Sequence, residues 1–163
     1  MKNGDNNAIA LFGNTNNATI ENLGLEGGTI KSSAWKIAAE AGDESVKELV
    51  DSGIECNYIA GIANWGNGSD YITQKGPILK RCYTKDINFG TAIEAYGVAK
   101  RATSMEECYN ASNISGFYIY AVGTADEKII NCYNTGNVTE VNIDGEEGYA
   151  CGIRNKQEST KLL

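Results

Sequence analysis

The chain has no histidine and only one proline among its 163 residues. The lack of histidine excludes histidine-based catalytic triads, histidine-ligated zinc sites and histidine as a general base. Basic residues are scarce too, because 14 lysines and arginines stand against 21 aspartates and glutamates, for a net charge of −7. An acidic chain without a basic cluster repels phosphate, so we expect no nucleic-acid partner.

Long apolar runs are also missing. No segment is apolar over the length that a membrane-spanning helix needs, and residues 1–7 lack the apolar stretch of a signal peptide. We therefore expect no membrane insertion. The chain is instead rich in glycine (19) and asparagine (18), and it has 17 isoleucines against 7 leucines. This composition favours short β-strands joined by turns.

A repeated motif organises the chain. Its three near-copies, Arg-Cys-Tyr-Thr, Glu-Cys-Tyr-Asn and Asn-Cys-Tyr-Asn, contain Cys82, Cys108 and Cys132, which are 26 and 24 residues apart. An apolar residue three positions before each cysteine completes a frame that also fits two earlier segments. The first apolar column is Ile20, Val46, Leu79, Met105 and Ile129, and the second is Leu23, Leu49, Cys82, Cys108 and Cys132.

A second half-repeat, an apolar segment with a glycine, lies between these sets. Its apolar column is Phe12, Ile37, Ile62, Val98, Val122 and Ile153. One repeat is too small to bury its own apolar face, whereas stacked copies bury a continuous core. We therefore predict an all-β fold, a right-handed parallel β-helix or β-solenoid of about five to six rungs with irregular turns. The predicted solenoid is a single domain over residues 1–163.

A leucine-rich repeat is a weaker alternative. Ile20, Leu23 and Leu25 match its pattern, but the Leu25 position becomes polar in the later repeats. The residues there are Asp51, Thr84, Asn110 and Asn134. Leucine-rich repeats bury this position, so the later repeats do not fit that architecture.

A helical stretch is the other alternative. Residues 35–50 alone show helical spacing, with Ser33 as a candidate N-cap and Gly53 as a candidate stop. Because Val46 and Leu49 also fit the β frame, we predict strands in this stretch.

The repeats resemble a known family. Residues 131–138 read Asn-Cys-Tyr-Asn-Thr-Gly-Asn-Val and are followed by a half-repeat with glycine and an aliphatic residue. This pattern resembles the GLUG-type repeats of large bacterial surface proteins, which occur in adhesin-like proteins and beside the catalytic domain of immunoglobulin-A-cleaving metallopeptidases. The resemblance covers nearly the whole chain, although residues 61–64 and 97–100 lack the last glycine of the family's Gly-x-x-Gly half. It implies a secreted, surface-exposed solenoid and no catalytic residue.

The five cysteines are an odd number, so they cannot all pair with one another. A column shared by leucine and cysteine indicates a buried apolar slot, so we expect an inward ladder of thiols at Cys82, Cys108 and Cys132. A disulfide between stacked rungs would be strained, and the cysteine spacing lacks the local pattern of a zinc site. Cys56 and Cys151 are expected to be buried as well. We predict no metal and no cofactor.

Three tyrosines follow the cysteine column, and strand alternation turns Tyr83, Tyr109 and Tyr133 outward. Two interpretations stay open: a flat aromatic strip that stacks on sugars or a partner protein, or a structural ladder of packed rings. In both cases the rings should be about 5 Å apart, the spacing of the rungs. If a ligand binds, these three residues are its predicted site. Most of a second set are expected to be packing residues: Tyr58, Tyr118, Tyr120 and Tyr149.

The carboxylates do not form the pair that glycan-degrading β-helix enzymes need. Along the predicted outward columns the charges largely alternate in sign, as in the series Glu21, Lys47, Lys80 and Glu106. Such alternation is typical of a solvated face with weak ion pairs. A separate acidic loop, with Asp144, Glu146 and Glu147, fits either a calcium site or a solvated turn. We therefore predict no enzyme and no catalytic residue.

The sequence leads to one main functional hypothesis and two alternatives. The main one is a non-catalytic segment of a bacterial cell-surface solenoid that acts as a stalk, adhesive or interaction module. The alternatives are a carbohydrate- or host-protein-binding module that uses the tyrosine strip, and a polysaccharide-degrading β-helix enzyme. We expect an extracellular or cell-surface location. We also expect the chain to be a fragment of a longer protein, with further repeats of the same polypeptide as neighbours.

Overall fold

The computed structural model describes residues 8–13, 15–64 and 75–155. In these ranges, two short α-helices accompany a series of β-strands. The helices are α1 (Ala34–Glu40) and α2 (Glu44–Asp51). In chain order, the strands are β1 (Ala8–Ile9), β2 (Thr19–Glu21), β3 (Gly24–Glu26), β4 (Thr29–Ile30), β5 (Cys56–Ala60), β6 (Ala63–Asn64), β7 (Ile78–Lys80), β8 (Tyr83–Lys85), β9 (Asn88–Phe89), β10 (Ala92–Tyr96), β11 (Ala99–Glu106), β12 (Tyr109–Ala111), β13 (Ile114–Ile130), β14 (Tyr133–Asn134), β15 (Val138–Glu140) and β16 (Tyr149–Asn155).

The described strands form three sheets, and every pairing between them is parallel. The main sheet has ten strands in the order β1-β5-β10-β13-β11-β7-β2, with β15 and β16 beside β13 and β6 beside β11. The second sheet has the order β14-β12-β8-β3, and the third pairs β4 with β9. Corresponding residues of successive repeats are paired, as Met105 is with Leu79 and with Ile129.

The predicted all-β, right-handed parallel β-helix is wrong. Among the described residues 11% are helical and 52% lie in strands, so the structure is mixed. The strands form a curled, all-parallel sheet shaped like a half-barrel, which two helices accompany, and this arrangement indicates an α/β fold.

Residues 34–51 form helices because their composition and end signals favour them. Alanine, glutamate and lysine are strong helix formers, and the Asp43 carboxylate accepts a hydrogen bond from the Ser45 amide at 3.0 Å, which caps α2. At the other end, Gly53 has a φ of 83° and the Ile54 amide donates to the Leu49 carbonyl, a Schellman closure. The prediction of strands here is therefore wrong, although Gly53 does end the helix as its sequence signal indicates.

The helices also remove three residues from the predicted apolar columns. Val46 and Leu49 lie on α2, three residues apart, so they share its half-buried side. They do not form a rung of the sheet. Ile37 lies on α1 and is 60% exposed. Strand β2 pairs directly with β7, so Ile20 is paired with Leu79 and no residue of the helical segment stands between them.

The remaining column residues form the core, except Phe12, which is 41% exposed and therefore does not fit the predicted column. Leu79, Met105, Cys82 and Cys108 are fully buried, and Leu23, Cys132 and Ile129 pack against them. The expected burial of Cys56 is confirmed, whereas Cys151 is only half-buried. All five cysteines are free thiols.

A left-handed backbone corner stands at the same place in four repeats. Asn22, Arg81, Glu107 and Asn131, each directly before the leucine or cysteine of the second column, have φ values of 55°, 49°, 53° and 51°. Asparagine tolerates this conformation, while arginine and glutamate adopt it at some cost in backbone energy. In the three repeats with cysteine, the corner directs the following cysteine toward the core and the next residue, the tyrosine, outward.

Candidate functional site

Tyr83, Tyr109 and Tyr133 form a continuous stack, which we call the tyrosine ladder. They begin strands β8, β12 and β14 and are paired in register. The ring centroids of Tyr83 and Tyr109 are 4.7 Å apart with planes 1° from parallel, and those of Tyr109 and Tyr133 are 5.0 Å apart at 6°. The predicted spacing of about 5 Å is therefore confirmed, since it is the distance between neighbouring strands.

The two ends of the tyrosine ladder differ. Beyond Tyr83, the register partner is Gly24, and a Cβ added there would lie 2.2 Å from the tyrosine ring. The Tyr83 hydroxyl donates a 2.6 Å hydrogen bond to the Glu26 carboxylate, so this end is closed and fixed. That hydrogen bond to a carboxylate raises the pKa of Tyr83. At the other end Tyr133 is 52% exposed.

Ring stacking determines which aromatic surface a ligand can reach. Both faces of the Tyr109 ring are taken by its neighbours, and the faces of Tyr83 are taken by Tyr109 and Gly24. The inner rings therefore present edges to solvent, and the outer face of Tyr133 is the ring face left uncovered by the ladder. The packed-ladder interpretation of these tyrosines fits this geometry better than a flat strip of ring faces does.

A buried chain of polar side chains lies behind the tyrosine ladder, and we call Thr84, Asn110 and Asn134 the amide ladder. The Thr84 hydroxyl donates to Asn110 Oδ1 at 2.7 Å, and Asn110 Nδ2 donates to Asn134 Oδ1 at 2.8 Å. Asn134 Nδ2 then donates to the Gly136 carbonyl at 2.7 Å. Thr84 and Asn110 are fully buried, which is tolerable because their polar atoms are bonded.

Sequence reasoning treated these polar residues as a reason against burial and so missed the amide ladder. The recurrence of asparagine at the same repeat position, Asn110 and Asn134, is the signal that could have revealed it. The neighbouring turn depends on the same packing. A Cβ at Gly97 would lie 2.7 Å from the Cβ of Asn110 and 2.0 Å from the Ala121 carbonyl oxygen, so a glycine is needed there.

A groove adjoins the tyrosine ladder, with a volume of about 670 Å³. Its lining consists of Asp86, Ile87, Asn88, Phe89, Ala111, Ser112, Asn113, Ile114, Ser115 and Thr139. Ile87, Phe89 and Ile114 are buried and form an apolar floor, while Asn88 and Asn113 are exposed. Ala111 follows Tyr109 by two residues on β12, so both side chains lie on the same side of that strand. The groove and the tyrosine ladder are therefore parts of one continuous surface.

A different group of side chains lies on the main sheet, and we call Tyr58, Glu94, Tyr96 and Lys100 the Glu94 cluster. Lys100 Nζ is 3.0 Å from the centroid of the Tyr58 ring and 3.8 Å from Glu94 Oε2. The Tyr96 hydroxyl donates to the same Glu94 oxygen. A lysine over a tyrosine face and beside a carboxylate is held by cation–π attraction and by an ion pair.

The remaining tyrosines of the main sheet divide into packed and exposed ones. Tyr120 stacks on Tyr96 with ring centroids 4.9 Å apart. Tyr118 and Tyr149 are register partners and are 41% and 49% exposed, so these two of the four tyrosines are not buried packing residues.

Burial and neighbouring charge shift several pKa values. Burial, the nearby Glu94 carboxylate and the hydrogen bond to it raise the pKa of Tyr96 far above its usual range. Burial also raises the pKa of the Cys56 thiol to about 12, with a smaller contribution from Glu55. In the thiol column, hydrogen bonds with Cys132 and Cys82, together with burial, raise the pKa of Cys108. Cys56 and Cys108 are therefore protonated and unreactive at neutral pH.

The predicted acidic loop is a tight turn. Asp144 and Gly145 have φ values of 49° and 79°, and Ile143 and Glu146 exchange backbone hydrogen bonds across them. This is the geometry of a type I′ turn, with its carboxylates exposed. Within the described ranges, no three cysteine or acidic side chains are grouped closely enough to hold a metal ion.

The outward charges pair across neighbouring strands as sign alternation predicts. Lys80 Nζ is 3.6 Å from Glu21 Oε1, and the Arg81 guanidinium is 3.7 Å from Glu21 Oε2. Lys47, however, pairs with Glu44 inside α2 rather than with a neighbouring strand. All of these groups are well exposed, so each pair contributes at most about 1 kcal/mol.

Comparisons with protein-family models, with curated proteins and with solved structures return no match. In the part of the chain that the structure describes, neither helix has the length and apolar character to cross a membrane.

Proposed function

We propose that this chain is a non-catalytic interaction module of a bacterial cell-surface protein. The observation that carries the proposal is the continuous surface formed by the tyrosine ladder and the groove, which one strand after another extends in register. A surface built from equivalent positions suits contact along an extended partner. The resemblance of the sequence to GLUG-type repeats supports the cell-surface location, whether the module acts as a stalk or as an adhesive.

The distribution of carboxylates supports binding without catalysis. Among the described residues, Asp86 is the only acidic one that lines the groove. Hydrolysis of a glycosidic bond generally requires two carboxyl groups, one on each side of the bond. In the Glu94 cluster the single carboxylate is already engaged by Lys100 and Tyr96, so it does not form such a pair either.

The second candidate function is the binding of a carbohydrate or a host protein at this surface. The groove favours carbohydrate because polar side chains stand above an apolar floor: Asn88, Asn113, Ser115 and Thr139 offer hydrogen bonds, and Phe89 lies beneath. Its volume is within the range of small-molecule sites. The described residues that line it include one carboxylate and no cationic side chain, so we expect neutral glycans to be preferred over acidic ones.

The test combines a binding assay with a turnover assay. Immobilised mannan, polygalacturonate and mucin glycans are incubated with the protein, and bound protein and newly released reducing ends are both measured. We expect binding to mannan above polygalacturonate, and no release of reducing ends with or without Ca²⁺. Turnover on any of these glycans would contradict the non-catalytic role, while absence of glycan binding would direct the search to a host protein.

A matched pair of variants locates the binding surface. Asn113→Ala removes an exposed amide from the groove, and Asn142→Ala removes an exposed amide elsewhere. We expect only Asn113→Ala to weaken mannan binding. Equal binding by both variants would contradict the groove as the site.

A further inference from the structure

Asn64 is a buried amide with an unsatisfied oxygen. The residue is 7% exposed, and its side-chain Oδ1 has no hydrogen-bond partner among the described residues. A buried carbonyl oxygen without a partner is destabilising because nothing replaces its hydrogen bonds to water, and no hydrogen bond to this oxygen ties the Asn64 carboxamide to a neighbour. Its register partner on the neighbouring strand is Lys100, which pairs β6 with β11.

The amine of Lys100 is held in aromatic surroundings rather than in water. Its side chain is only 13% exposed, and Nζ lies 3.0 Å from the Tyr58 ring centroid and 6.0 Å from that of Tyr96. Tyr58 belongs to the same repeat as Asn64, six residues earlier. The amine of Lys100 therefore contacts the repeat that contains the buried amide.

The reach is short enough for contact. Residues in register on neighbouring strands are about 4.8 Å apart and direct their side chains to the same face. A lysine side chain exceeds that distance, so a change in its torsion angles brings Nζ to the carboxamide carbon of Asn64. Glu94 Oε2, at 3.8 Å from Nζ, is the carboxylate beside the amine that can take up a proton.

We propose that Lys100 and Asn64 form an intramolecular isopeptide bond that links two neighbouring repeats. The Lys100 ammonium first gives a proton to the Glu94 carboxylate, which leaves a neutral amine. The amine lone pair then attacks Cγ of Asn64, and a new Nζ–Cγ bond forms. The Glu94 carboxyl gives its proton to the departing nitrogen, the Cγ–Nδ2 bond breaks and ammonia leaves. The regenerated Glu94 carboxylate then takes the second proton from Nζ, which leaves a neutral amide. No atom is oxidised or reduced, and no further reactant is needed.

The Glu94 cluster supplies what this reaction requires. Only the neutral amine is nucleophilic, so the transfer of a proton from Nζ to Glu94, which lies 3.8 Å away, must precede the attack. The Tyr96 hydroxyl donates to Glu94 and holds the carboxylate beside the amine. The surface pair of Lys80 and Glu21 lacks these features, because both side chains are 39% exposed and the strand partners of Lys80 are glutamates.

Mass spectrometry of the folded wild-type chain tests the proposal. We expect an intact mass lower than that of the sequence by one ammonia molecule. Trypsin should then release a branched peptide that joins residues 48–75 to residues 86–101, uncleaved after Lys100. A succinimide at Asn67-Gly68 would lose the same mass without a branch, so the branched peptide is the deciding observation. A full intact mass, or the mass loss without the branch, would overturn the proposal.

Three variants complete the test, each checked for folding by circular dichroism. Lys100→Arg should abolish the branched peptide, and Lys80→Arg, the matched control, should keep it. Glu94→Gln has the same shape but cannot accept the proton, so cross-linking should fall at least tenfold in rate. Full cross-linking in Glu94→Gln would overturn the assigned proton transfer.

Discussion

The tyrosine ladder and the Glu94 cluster are both tyrosine-rich, yet they are built on opposite principles. In the tyrosine ladder each repeat supplies the same residue, and the rings stack 4.7 Å and 5.0 Å apart. In the Glu94 cluster the register partner of Tyr58 is Glu94, so an acid interrupts a column that continues as Tyr118 and Tyr149. One surface is periodic and the other is unique.

The difference shows where a repeat protein can place chemistry. Where a polar residue recurs in successive repeats, each side chain can hydrogen-bond to the next one. Behind the tyrosine ladder, such bonds join Thr84, Asn110 and Asn134. A unique cluster has no such series of partners. The buried oxygen of Asn64, the register partner of Lys100, has no hydrogen-bond partner among the described residues. We therefore assign contact with extended partners to the periodic surface and covalent chemistry to the unique one.

The largest expected effect is a buried charge behind the tyrosine ladder. Cys108→Asp puts a carboxylate at a fully buried position between Cys82 and Cys132, and the free energy of unfolding should fall by roughly 3–5 kcal/mol. The control is Glu107→Asp at the exposed neighbour, which should change stability little. Urea unfolding of both variants measures the difference, and similar midpoints would contradict the buried thiol column.

The next effect concerns the amide ladder. Asn110→Ala removes the acceptor of the Thr84 hydroxyl and the donor to Asn134, which leaves buried polar atoms unsatisfied. We expect a loss of about 1–3 kcal/mol in the free energy of unfolding. Asn142→Ala, at an exposed position, is the matched control, and equal stability of the two variants would show that the amide ladder is not a structural unit.

The smallest effect is expected in the Glu94 cluster. Tyr58→Leu keeps an apolar side chain but removes the ring face beneath Lys100 Nζ, so stability should fall by about 1 kcal/mol. The same change at the exposed Tyr118 should cost less. Thermal unfolding of the two variants compares them, and a larger loss at Tyr118 would contradict the cation–π contact.

Much of the strand register could be read from the sequence. The period is visible in Cys82, Cys108 and Cys132, and the same spacing correctly pairs Leu79, Met105 and Ile129 and stacks the three ladder tyrosines. These positions were predictable because each repeat presents the same chemistry at the same place.

The fold class and the unique contacts could not be read in this way. Val46 and Leu49 satisfy a strand frame and a helical spacing equally, and the cap at Asp43 and the turn at Gly53 decide for the helix. Lys100 and Tyr58 are in contact, but this pair does not recur in the other repeats, so no repeated pattern in the sequence predicts the contact. The burial of Thr84 and Asn110 could not be predicted from their polar side chains, because only the folded neighbours supply their hydrogen bonds.

Titration calorimetry with a neutral mannan oligosaccharide, coupled to an assay for new reducing ends, tests the role of the periodic surface most directly. The wild-type chain is compared with Tyr133→Ala, which removes the 52% exposed ring of the tyrosine ladder, and with Tyr118→Ala, which removes a 41% exposed ring from the main sheet. We predict binding without turnover, weakened at least fivefold by Tyr133→Ala and unchanged by Tyr118→Ala. Release of reducing ends, or equal loss of binding in both variants, would contradict a non-catalytic binding surface at the tyrosine ladder.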